Sequence, residues 1–188
     1  SGTTYSTGNI AADENVTVTY TVAANGQCSG STASKTFTVN YSPAAATNTT
    51  STSTVCEGTD VTLVTANTNG SWSHNGSGSI SGTTYSTSNI GADENVTVTY
   101  TVAANGQCSG STANQTFTVN YSPAAATNTT STSTVCEGTD VTLVTANTNG
   151  SWSHNGSGSI SGTTYSTGNI AADENVTVTY TVAANGQC

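Results

Sequence analysis

Residues 92–108 read "ADENVTVTYTVAANGQC", and the segment 94–102 within them, "ENVTVTYTV", decides the fold. Val96, Val98, Tyr100 and Val102 alternate with Thr97, Thr99 and Thr101. Successive side chains of an extended chain point to opposite faces, so this is an antiparallel strand with one buried face and one covered by threonine. Val and Thr are stiff at χ1 and suit a pleated surface better than a helix. Asn105 and Gly106 bound the strand with turn chemistry. "QTFTVNY" (115–121) repeats the device with Phe117, Val119 and Tyr121. "VTLVTA" (61–66) supplies Val61 and Leu63, and "SWSHNG" (71–76) supplies Trp72. Ile80, Tyr85 and Ile90 mark one or two weaker strands. No stretch combines a 3.6-residue period with caps, so no helix is predicted.

The seventeen letters of 92–108 also occupy 12–28 and 172–188. Residues 1–80 match 81–160 except at Gly8/Ser88, Ala11/Gly91, Ser34/Asn114 and Lys35/Gln115, and 161–188 repeat 1–28 without change. An 80-residue period is too long for helical solenoid repeats and suits an independent domain strung as a bead. With a boundary at Pro43 and Pro123, residues 43–122 form one complete bead. Residues 1–42 are then the C-terminal part of a preceding one, and 123–188 are a bead lacking its last strand. "YSPAAATNTTSTST" (121–134) reads as the junction, followed by a loose first strand.

Composition narrows the functional classes. The chain has 188 residues, one Lys or Arg, ten Asp or Glu and a net charge of −9. That excludes the basic footprint of a nucleic-acid binder and leaves no polybasic or amphipathic stretch for an anionic membrane. No apolar run approaches the ~20 residues that would insert a helix into a bilayer. The apolar third of the chain sits in regular alternation, which disordered polar tracts lack.

About seven short strands per repeat, frequent turn signals and a tryptophan on the third strand point to all-β, tandem immunoglobulin-like β-sandwich domains of 80-residue period. The unit "VCEGTDVTL" (55–63), "GSWS" (70–73), "NVTVTYTV" (95–102) with "GQC" (106–108), and "TFTV" (116–119) resembles the Ig-like or PKD-like tandem repeats of large secreted bacterial cell-surface proteins, adhesins and fibres. The resemblance covers the whole 80-residue unit. It implies an extracellular or surface setting, in a bacterium, and a role in adhesion, spacing or fibre formation. Near-identity between repeats favours a homopolymer-like fibre, because a stalk gains length from each copy whereas an enzyme gains little.

Each repeat carries two cysteines, giving Cys28, Cys56, Cys108, Cys136 and Cys188. Zinc needs three or four clustered ligands, which these spacings with one histidine per repeat do not supply; disulfides are the expectation. Cys56–Cys108 and Cys136–Cys188 within repeats are the favoured pairs, each worth roughly 4 kcal/mol in the chain-entropy model. Cys28–Cys56 and Cys108–Cys136 would close shorter loops. Immunoglobulin connectivity raises another option. The turn before the second strand and the turn after the sixth then lie at opposite ends of a strand of roughly 20–27 Å, whereas a disulfide spans at most ~7 Å between Cα atoms. Under that geometry Cys56 pairs with Cys188, stapling one bead to the next. The partner of Cys28 lies outside the chain.

The remaining candidates are fewer. Glu57, Asp60, Asp93 and Glu94 fall in two turns that share an end of the bead and form a calcium option, although no dense alternating Asp pattern accompanies them. No metal is favoured, and no cofactor is expected. His74 and His154 stand alone, no Ser–His–Asp or Cys–His set can be assembled, and "GxSxG" does not occur, so no catalytic residue is assigned and the chain is expected not to be an enzyme. Trp72, Tyr85 and Tyr100 read as core; if exposed they would suit a carbohydrate-binding array. Asn15, Asn48, Asn69, Asn75, Asn95 and Asn114 begin Asn-X-Ser/Thr triplets, so glycan contact is a further option. The expected function is mechanical, a stalk or filament whose partners are identical repeats or chains. The alternatives are the carbohydrate-binding array and a non-catalytic spacer of a secreted enzyme.

Overall fold

The computed structural model describes every residue except Ser1, Asn89, Thr132 and Ser133. The last two belong to the 121–134 junction read from the sequence, and that part of it lies outside the described residues. All secondary structure among the described residues is β. The strands are β1 (Glu14–Val22), β2 (Ser31–Val39), β3 (Val55–Cys56), β4 (Asp60–Thr62), β5 (Gly70–His74), β6 (Ser79–Ser81), β7 (Thr84–Ser86), β8 (Glu94–Val102), β9 (Ser111–Asn120), β10 (Asp140–Thr142), β11 (Gly150–His154), β12 (Ser159–Ser161), β13 (Thr164–Ser166) and β14 (Val178–Val182). Two compact units divide the chain. One comprises 1–54, 58–88 and 95–118; the other comprises 55–57, 89–94 and 119–188.

In the first unit β1 and β2 form an antiparallel hairpin in which Val16 faces Phe37 and Tyr20 faces Ala33. β4, β7 and β6 make a three-stranded sheet. β9, β8 and β5 line up in a second sheet; β3 pairs parallel with the end of β9 at Val119 and Asn120, residues that belong with it to the second unit. The period-two pattern dictates which side is dry. Val96, Val98, Tyr100 and Val102 of β8 and Phe117 of β9 are buried, together with Val61, Leu63 and Tyr85 from the strands of the other sheet and their margins. Tyr85 and Phe117 meet edge to face at 5.6 Å between ring centroids, joining the two layers in an arrangement compatible with a β-sandwich. Such a contact adds about 0.5–1.5 kcal/mol beyond the area it buries. On the outer face Thr97 and Thr116 join hydroxyls at 2.9 Å, as Thr17 and Thr36 do at 2.7 Å.

The second unit repeats the pattern with β10–β13–β12 and β11–β14. Tyr165 and Leu143 are buried there. Three sequence readings change. Ile90 belongs to no strand, because the chain turns there before β8 begins. Tyr121 is not a core residue; it follows β9 and its backbone serves a turn contact. Trp72 is half-buried, because its place opposite Tyr100 at the strand pair β5–β8 lets the indole rest edge-on against that ring at 4.9 Å.

Candidate functional site

The residues that carry chemistry lie at the turns closing each "AANGQC". Each turn builds itself. Asn25 and Cys28 exchange two backbone hydrogen bonds of 3.0 and 3.1 Å, and Asn105 with Cys108 and Asn185 with Cys188 do the same at 2.9–3.0 Å. The glycine between them must adopt a left-handed conformation, φ +57° at Gly106 and +62° at Gly186, which costs a residue without Cβ nothing. A Cβ at Gly106 would also lie 2.5 Å from the Asn40 side chain, and one at Gly186 2.6 Å from that of Asn120.

Two of the three turns are engaged, and in the same way. In the first unit Asp13 Oδ1 accepts from the Tyr41 amide at 2.7 Å and from Asn105 Nδ2 at 2.7 Å; Asn105 also donates to the Tyr41 carbonyl at 3.0 Å. In the second unit Asp93 Oδ1 accepts from the Tyr121 amide at 2.9 Å and from Asn185 Nδ2 at 2.6 Å, and Asn185 donates to the Tyr121 carbonyl at 3.1 Å. One carboxylate thus ties a strand end to the next repeat's turn. The Tyr41 amide, then Asn105, hold the Asp13 carboxyl below its ordinary 3.8, with Asn40 adding to them against the opposing effect of burial.

The second clasp carries a covalent bond. Cys56 and Cys188 form a disulfide with 5.6 Å between Cα atoms and 132 residues of separation. Cys56 is held there because β3 pairs with the end of β9, Cys56 opposite Asn120. Cys28, Cys108 and Cys136 are thiols. The favoured intra-repeat bonds Cys56–Cys108 and Cys136–Cys188 are therefore not the ones formed, and neither are Cys28–Cys56 and Cys108–Cys136. Cys28–Cys56 and Cys136–Cys188 are displaced because Cys56 and Cys188 bond each other. For Cys56–Cys108 the reason is strand length: β9 begins just after Cys108 and ends beside Cys56, a run of roughly 30 Å at 3.3 Å per residue, against the ~7 Å a disulfide tolerates.

The calcium option finds no assembled ligand set. Among the described residues no three His, Cys, Asp or Glu side chains gather. Asp93 is engaged in the clasp instead, and Glu57 buries Oε2 without a hydrogen-bond partner. His74 places Nδ1 3.1 Å from the Gly76 carbonyl and its ring 5.1 Å from Tyr85, which accounts for it as a packing residue. A depression of about 230 Å³ beside β14, lined by Pro123, Val182, five alanines and Cys188, offers no titratable group, Cys188 being oxidised. Of the Asn-X-Ser/Thr sites, Asn48 is buried with its amide donated to the Val98 carbonyl at 2.9 Å and is closed to a glycan; Asn15, Asn69, Asn75, Asn95 and Asn114 are exposed.

Sequence reasoning missed Asn48 as a buried polar plug and missed the Asp–Asn–Tyr clasp. The recurrence of "AD" and "ANG" at fixed distance was the available signal, but only the fold brings positions 92 apart together. No helix is long and apolar enough to cross a membrane among the described residues. Compared with known proteins, the chain matches no protein-family model and no curated sequence.

Proposed function

We propose that this chain is part of an extracellular structural protein, a stalk or filament of near-identical Ig-like beads that spans distance in adhesion or forms a surface fibre, with no catalytic role. The observation that carries this reading is the repeated clasp. Two turns 80 residues apart make the same two hydrogen bonds to the preceding repeat, on a carboxylate that the same backbone amide holds each time, and one is locked by Cys56–Cys188. A linker evolved for free swivelling would not rebuild one contact at successive joints; a stiff rod would.

Several features support the finer fold assignment. The sheet orders β4–β7–β6 and β9–β8–β5 correspond to B–E–D and G–F–C of an immunoglobulin sandwich, with Trp72 on the strand equivalent to C. A disulfide fits a non-reducing compartment, in keeping with export. Partners are identical repeats or chains, and calcium has no part in the proposal. Rotary-shadowed electron micrographs test it. Straight beaded rods whose length grows with repeat number are expected; compact or freely jointed particles would overturn it.

A further inference from the structure

We propose that Cys108 and Cys136 are the open positions of a disulfide ladder, in which the turn cysteine of every repeat bonds the β3-type cysteine of the repeat before it. The partner of each is a cysteine of a further copy of this same 80-residue sequence. The ladder deepens the stalk reading and rests on it for one premise, that more repeats adjoin these.

The three turns of the chain display successive states of one site. At Cys28 the turn is formed by its own backbone bonds, the cysteine is exposed and nothing lies within 4 Å of a Cβ at Gly26. At Cys108 the same turn is clasped by Asp13, Asn40 and Tyr41, and the thiol is half-buried with Sγ donating to the Asn40 carbonyl at 3.5 Å. At Cys188 the same clasp is present and the sulfur is bonded to Cys56, which lies opposite Asn120, the equivalent of Asn40. Cys108 therefore points at the place where the counterpart of Cys56 would stand. The clasp forms without the bond, as the first unit shows, so it positions the thiol and oxidation locks it. Cys136 occupies the position of Cys56 in the next repeat and is an exposed thiol.

The alternatives within the chain do not compete. Cys136–Cys188 would require breaking the Cys56–Cys188 bond, and Cys108–Cys136 would take the Cys108 sulfur from the Asn40 carbonyl that it contacts. Locking proceeds by thiol–disulfide exchange with a small-molecule disulfide such as oxidised glutathione. One cysteine thiolate attacks the oxidant and expels a thiolate, and the second cysteine thiolate attacks the mixed disulfide and expels the other. The oxidant leaves as two thiols, and the two cysteine protons go to them or to water.

The test appends a second copy of residues 109–188 to the full chain, oxidises it with glutathione disulfide under native conditions, and maps peptides without reduction. A peptide joining Cys136 to the last cysteine of the added repeat is expected beside Cys56–Cys188, with Cys28, Cys108 and the added repeat's first cysteine alkylated as thiols. A peptide joining Cys136 to Cys188 or Cys108 would overturn the ladder, as would an alkylated Cys136. The Asn185→Ala chain, which keeps every cysteine, is expected to close Cys56–Cys188 at least several-fold more slowly; an unchanged rate would overturn the positioning role of the clasp. Micrographs of the same sample separate the two readings, since rods with the wrong peptide sink only the ladder, and the right peptide without rods sinks only the stalk.

Discussion

Asn105 donates its side-chain amide to Asp13 at 2.7 Å although the two residues are 92 positions apart, and Asn185 and Asp93 reproduce the contact at 2.6 Å with the same separation. A contact made twice at one interval is a property of the repeat. The carboxylate accepts from a backbone amide and a side-chain amide at once, so it needs no cationic partner, in a chain with almost no basic residues.

The clasp is acid-sensitive at Asp13. Its folded-state pKa is depressed, by the Tyr41 amide first and Asn105 second, so ionisation favours the clasped state. The contribution is present above the unfolded carboxylate value and is lost as pH falls through the lower folded one. Proton NMR of the Asn105 side-chain amide from about pH 6 to pH 2 should show it released below the usual carboxylate range. Asp13→Asn should abolish that transition; an amide signal that titrates unchanged in the variant would contradict the assignment.

Thiol reactivity should rank by exposure. With the folded, unreduced chain, iodoacetamide should label Cys28 and Cys136 quickly, Cys108 more slowly, and Cys56 and Cys188 only after reduction. Cys188→Ser should lower the unfolding midpoint without loss of the clasp. The 132-residue loop sets a ceiling of about 5 kcal/mol in the chain-entropy model.

Asn48 and Asn128 offer an internal control. Asn48 Nδ2 donates to the Val98 carbonyl at 2.9 Å and its Oδ1 accepts from Thr50; Asn128 does the same with Val178 and Thr130. Only Asn48 is buried, where Gln115 Nε2 also reaches its carbonyl. Asn48→Ala should cost about 1–3 kcal/mol by leaving the Thr50 amide unpaired in the interior, and Asn128→Ala about 1 kcal/mol or less. Urea denaturation of each variant decides it; equal costs would show that burial is not the determinant.

Tyr85 is fully buried and its hydroxyl accepts from the Gly78 amide at 3.0 Å. Tyr85→Phe should lose about 1 kcal/mol with that bond, whereas Tyr85→Ala should lose about 3–5 kcal/mol because the ring also fills the space against Phe117. Thermal unfolding would show the order; a Phe variant as damaged as the Ala variant would mean the hydroxyl, not the ring, holds the layers.

The sequence alone determined what is local. The two-residue alternation of "ENVTVTYTV" makes a strand wherever it has a partner, since alternation and χ1 stiffness are properties of neighbouring residues. The turn at "ANGQC" closes the same way three times. Tertiary structure decided what depends on neighbours distant in sequence. The same nine letters are buried as β8 but exposed as β1, where Tyr20 is 72% accessible against 3% for Tyr100, and only the last five are strand as β14. It also decided the cysteine pairing, because loop length favours many bonds while a strand of ten residues permits few. Three identical turns, one free, one clasped and one clasped and bonded, show that the code for the turn is in the chain and the code for its partner is in the packing.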